Sequence, residues 1–78
     1  MATRLASEIR KGDVILGRRA GPLTVREDAE EGIVRGGLGY RIKLEGYPTI
    51  RMQGDPELII ADNPDKAWDE HVRIRNTL

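Results

Sequence analysis

Apolar and polar residues alternate most clearly over Gly39–Glu45 and again over Thr49–Gln53. Successive strand side chains point to opposite faces. Tyr40, Ile42 and Leu44 therefore share one face, and Arg41, Lys43 and Glu45 the other. In the second run Ile50 and Met52 are the apolar set, with Arg51 and Gln53 opposite. Apolar residues at every second position would wrap all the way round a helix, so the helix reading fails. Gly46-Tyr47-Pro48 lies between the runs. Glycine permits positive φ and proline lacks a ladder donor, so this stretch predicts the loop of an antiparallel hairpin. A lone hairpin is marginal in water and needs a second apolar layer from the rest of the chain.

The flanking segments predict that layer. Residues 2–10 read as a short helical turn with Leu5, Ala6 and Ile9 on one side, broken by Lys11-Gly12-Asp13. Val14-Ile15-Leu16 is a strand ended by Gly17, and Arg18–Pro22 is a loop. Leu23–Arg26 is a second strand. The acidic run Glu27–Glu31 reads as an exposed ribbon or a loop tip, and Ile33-Val34 as a short returning strand. Beyond the hairpin, Gly54–Glu57 has the aspartate-proline signature of one tight helical turn. Leu58–Ala61 is a final strand. Asp62–Asp65 repeats the aspartate-proline signal. Lys66–Arg73 then reads as a short helix with Trp68 and Val72 on one side, although Val72–Arg75 also alternates like a strand. The expected division is a β domain over residues 1–62 and a helical or irregular tail over 63–78.

Seventy-eight residues make one domain with a modest core. There is no cysteine, hence no disulfide or thiolate metal site, and no phenylalanine, which leaves Ile, Leu and Val to fill the interior with Tyr40, Met52 and Trp68. Formal net charge is zero, giving no overall pull toward nucleic acid or an anionic membrane. Residues 1–54 carry ten basic and seven acidic side chains, whereas residues 55–78 carry three and six, so a mildly basic body precedes an acidic tail. No apolar run approaches the ~20 residues needed to cross a bilayer, and Met1–Leu5 lacks a signal-peptide apolar segment. The expectation is a soluble cytoplasmic protein. Arginine outnumbers lysine ten to three, which points to a GC-rich genome and, with the small size, to a bacterial or phage accessory protein.

Local sequence adds a resemblance. Glu8-Ile9-Arg10-Lys11-Gly12-Asp13-Val14-Ile15 resembles the x-L-K-x-G-D-x-V opening of many SH3-like small barrels, including KOW-type ribosomal and transcription-elongation domains. Ala20-Gly21-Pro22-Leu23-Thr24-Val25 resembles the G-G-P-x-M-T-V segment of a small uncharacterised bacterial family, with Ala20 in place of the first glycine and Leu23 in place of methionine. The resemblance covers residues 8–61. It implies a mainly all-β, SH3-like five-stranded small barrel and carries over no functional residue.

Chemistry is sparse. Ser7 and His71, the single serine and single histidine, sit at opposite ends of the chain, so a serine–base pair is not expected. Asp69-Glu70-His71 has neither a His-x-x-x-His nor a Cys pair, and adjacent residues rarely converge on one ion, so it reads as a solvated tail. Asp13 reads as a turn aspartate bonded to its own backbone. Gly36, Gly37 and Gly39 do not fit the dinucleotide or P-loop pattern. Glu27, Asp28, Glu30 and Glu31 have nothing to bury one of them as an acid catalyst would need. No catalytic residue, metal ligand or cofactor is assigned, and the chain reads as a non-enzyme.

Two binding readings remain. Tyr47 and Trp68 are candidate anchors for a protein partner or a second copy, since aromatics dominate contact hot spots; Trp68 alternatively covers an open barrel end. Open edge strands offer a further route to self-association. Arg26, Arg41, Lys43 and Arg51 are candidate phosphate contacts on the outer hairpin face, although only Tyr47 accompanies them as an exposed stacking group. The alternative for that face is solvated charge paired with Glu45 and the acidic ribbon. Protein binding is the favoured expectation, and no small-molecule substrate or membrane is implied.

Overall fold

The computed structural model describes residues 2–17 and 21–77. Of the loop expected over Arg18–Pro22, residues 18–20 lie outside them, and Gly21 and Pro22 are not loop but the first two residues of a strand. Among the described residues the chain is mainly β: seven strands form two antiparallel sheets, followed by one α-helix. The first sheet has the order β1 (Ala2–Leu5), β7 (Glu57–Ile60), β2 (Val14–Gly17), β3 (Gly21–Thr24). The second is β4 (Glu30–Val34), β5 (Gly37–Leu44), β6 (Tyr47–Gln53). Helix α1 spans Ala67–Thr77.

Strand β2 shows why its sequence does not alternate. Ile15 faces the main core, which holds Ile9, Leu23, Val25, Ile42, Leu44 and Ile60. Val14 and Leu16 face the other way, into a second cluster with Ala61 and Ala67 under α1. A strand buried on both faces reads as a continuous apolar run. The Lys11-Gly12-Asp13 turn fixes its start. Gly12 has φ 93°, and the Asp13 carboxylate accepts from the Arg10 backbone N–H at 2.9 Å and from the Arg4 guanidinium at 3.1 Å.

The two sheets meet at one corner. Val25 bridges Leu44, the Arg26 N–H donates to the Lys43 carbonyl, and the Glu45 N–H donates to that of Thr24. The expected five-stranded barrel needs correction here. Among the described residues there are seven strands and no ladder joins β6 to β1 or β7, so no closed barrel is found among them. The additional strand at the chain start replaces part of the expected N-terminal helical turn. Ala2–Leu5 lies antiparallel along β7, and only Ala6–Glu8 forms a 3-10 turn. The edge of β7 supplies unpaired backbone groups that residues 2–5 satisfy, a gain no side-chain pattern announces.

The central hairpin has the expected faces, with Tyr40 opposite Met52 and Ile42 opposite Ile50. Its turn is earlier than the sequence implied. Glu45-Gly46 is the loop, with Gly46 at φ 65°, while Tyr47 and Pro48 belong to β6. The register slips between Ile42 and Leu44, so Tyr47 faces Leu44. A bulge on an edge strand absorbs the extra residue, and the edge position tolerates the proline. The expected helical turn at Gly54–Glu57 is absent: Gly54, Asp55 and Pro56 are irregular and Glu57 opens β7. Asp55 caps no helix there: its carboxylate accepts from the Ser7 backbone N–H (2.8 Å) and hydroxyl (2.7 Å), tying the two crossings together.

Within the tail, Pro64–Lys66 is a 3-10 turn and Ala67–Thr77 is α-helical, and among its described side chains the buried ones are Ala67, Glu70 and His71 rather than Trp68 and Val72. Asn63 caps the preceding 3-10 turn by accepting from the Asp65 N–H. The Glu70 carboxylate reaches back to the N–H groups of Asp62 (2.9 Å) and Asn63 (3.3 Å). Glu70 and His71 are thus buried, not solvated as their polarity implied.

Candidate functional site

The sheet β4-β5-β6 carries the residues that reading the sequence singled out, and its two faces differ in kind. On the outer face Arg41 lies between Glu30 on one neighbour strand and Arg51 on the other. Its guanidinium bonds Glu30 at 2.8 Å and rests against Gly32, while its Nε is buried without a hydrogen-bond partner. Lys43 pairs with Glu27 at 3.1 Å. Arg26 and Arg51 are exposed and have no carboxylate partner among the described residues. The four expected phosphate contacts are therefore brought to one side, but two are neutralised by the acidic run. Their partners are Glu27 and Glu30, not Glu45.

Where the chain kinks between β3 and β4, an open cleft of about 550 Å³ is lined by Lys11, Arg26 and Lys43 and by Glu27, Asp28 and Glu30. Three cations against three carboxylates leave it without net charge. Asp28 is already used, accepting from the Lys11 backbone N–H at 2.8 Å. The Lys43 ammonium, bonding Glu27 directly, holds that carboxyl below the ordinary glutamate range; Arg26 and Lys11 add to the effect. A depressed carboxyl pKa contributes stability that is present above the unfolded value and lost as pH falls through the folded one. A carbon-detected NMR titration should place the Glu27 midpoint below that of an ordinary glutamate. Lys43→Met should raise it; an unchanged midpoint would mean the ion pair is not formed in solution.

The inner face is mainly apolar, with Glu31 opposite Tyr40, and is only half covered. Ile42 and Leu44 lie in the core, Tyr40 and Met52 are half-buried, and then the sheet runs on past its partner. There Ile33 and Leu38 sit directly opposite each other and are 71% and 65% exposed. The Arg35-Gly36 turn, with φ 52° and 83°, closes this arm. Positive φ at both positions is the geometry of a tight two-residue hairpin loop. Neither isoleucine nor leucine here was marked by reading the sequence. The signal was present, since Ile33 and Leu38 have the parity of the apolar face, but the short strand 33–34 gave no register.

The other two candidates lie apart from this face. Tyr47 is half-exposed at the bulged start of β6. Trp68 is 67% exposed on α1, with its ring against Gly21 at the start of β3 and edge-on to His71 at 5.8 Å. It therefore covers the end of β3 without being buried. Ser7 is held by Asp55, while His71 is buried on α1. Among the described residues no three His, Cys, Asp or Glu side chains converge as a metal site would require. Among the described residues no helix is long and apolar enough to cross a membrane. Comparisons with protein-family models, curated proteins and solved structures found no match to this chain.

Proposed function

We propose that this chain is a non-enzymatic protein-interaction module of the SH3-like type that binds through the inner face of the β4-β5 arm. The fold part of the reading is supported by the order of pairing. The last strand β7 lies antiparallel to β2, β2 to β3, and the continuation of β3 joins β5, whose hairpin partner is β6. The functional part rests on one observation: Ile33 and Leu38, paired across the arm on the face that continues the core, are left in water. Large exposed apolar pairs of this kind mark interaction surfaces.

Chemical cross-linking of the tagged chain in lysate should give a discrete protein adduct that survives nuclease, and Ile33→Asp should lose it while Arg51→Glu does not. The nucleic-acid reading is the second, favoured by Arg26 and Arg51 on the outer face, which have no carboxylate partner among the described residues. Two free cations neutralise about two phosphates, so log K against log salt should have a slope near −2 and no steeper. Recovery of nucleic acid that disappears at high salt or with Arg51→Glu would replace the first reading by the second.

A further inference from the structure

We infer that the partner of the arm is a second copy of this chain, packed face to face about a two-fold axis near Ile33. The inference rests on the interaction-module reading and names its partner. A two-fold contact requires a self-complementary surface, in which residue i meets j and j meets i. The arm has that pattern. Glu31 lies two residues before Ile33 on the same face, opposite Tyr40, and Arg35 lies two residues after it at the hairpin tip. Both are exposed, and neither has an ion-pair partner among the described residues. Two arms packed antiparallel over Ile33 set each Glu31 beside the other copy's Arg35 while Ile33 and Leu38 meet in the centre. Tyr40 and Met52 continue that apolar row toward the core.

Edge-to-edge pairing through this sheet is not the route. The free edge of β4 begins with Glu30 and Glu31, and that of β6 is interrupted by Pro48 and a bulge, devices that blunt an edge. The face of the arm instead has an exposed apolar centre, Ile33 and Leu38, with Glu31 and Arg35 beyond it. Those few residues compare with about 20–30 a side in a standard interface. A standard interface takes about 800 Å² from each partner, roughly a seventh of the 5366 Å² surface of this chain. The dimer should accordingly be weak, with Kd on the order of 10–100 µM.

Sedimentation equilibrium of the purified chain, from about 5 to 500 µM at low salt, should show this association. Ile33→Asp should be monomeric throughout while melting like the wild type at dilute concentration. Glu31→Arg alone, and Arg35→Glu alone, should each weaken association by about tenfold, because both symmetric contacts become repulsive. Mixed in equal amounts, these two variants should dimerise with each other, since both cross-contacts are then between opposite charges. A wild type that stays monomeric at the highest concentration, or a mixture that associates no better than its components, would overturn the second-copy inference. The interaction-module reading fails on a different result, namely Ile33→Asp leaving the cross-linked protein adduct unchanged.

Discussion

Gly39→Ala should leave the chain unfolded at 25 °C. Gly39 sits in the middle of β5, buried, opposite Gln53, in extended backbone that any residue adopts. Space is what excludes a side chain. A Cβ at this position would overlap the Met52 carbonyl oxygen and lie 3.0 Å from the Gln53 Cα. Both are backbone atoms of the neighbouring strand, so no rotamer change relieves the contact. The strands must part, which removes the Tyr40–Met52 pairing and opens the apolar face beside it. A backbone clash of this kind belongs with the substitutions that cost more than ~4 kcal/mol, and a single small core supplies only ~3–5 kcal/mol in total. The amide spectrum should collapse to the narrow dispersion of an unfolded chain. Gly36→Ala is the control: it meets no atom within 4 Å but sits at φ 83°. It should cost about 1–2 kcal/mol and stay folded. A Gly39→Ala protein melting within a few degrees of wild type would show that β5 and β6 are not this close in solution.

Gly39 also illustrates where the sequence stops being legible. The alternation that placed Tyr40, Ile42 and Leu44 on one face is a local property, and the ladder reproduces it. The turn at Gly12 was legible for the same reason. What required a second segment to be meaningful was not. The one-residue slip at the β5–β6 hairpin depends on the bulge, so Tyr47 read as loop. Strand β1 has three exposed residues in four and exists because β7 offers an edge. A short helix over Lys66–Arg73 or an irregular segment was expected, whereas α1 runs over Ala67–Thr77. Trp68 and Val72 are the apolar pair, yet the buried stripe contains Glu70, whose carboxylate satisfies two backbone donors, and His71. The basic face was legible as a set of four cations, but their neutralisation by Glu27 and Glu30 depends on the kink that folds the acidic run back against β5.

The second large effect is expected at Ile42, and it is informative because Ile33 provides a matched comparison. Both are isoleucines of the same sheet, with side chains on its inner face. Ile42 is fully buried among Val25, Leu44 and Ile60, and Ile33 is 71% exposed. Truncating a buried isoleucine to alanine costs about 2–5 kcal/mol, from lost transfer energy and the cavity left behind. For a domain this small that is most of its stability, and the melting temperature should fall by about 10–35 °C. Ile42→Val, which removes one methyl, should cost about 0.5–1.5 kcal/mol and keep the chain folded. Its urea midpoint should fall with the slope unchanged, the sign that stability alone has moved. Ile33→Ala, measured dilute, should stay within about 0.5 kcal/mol of wild type. Equal losses at the two positions would mean that the arm is covered within the monomer, and the apolar pair at its end would then be core rather than a contact surface. A large loss at Ile42 with none at Ile33 separates the two halves of one continuous face: the half near Val25 holds the domain together, and the half near the Arg35-Gly36 turn is free to meet another chain.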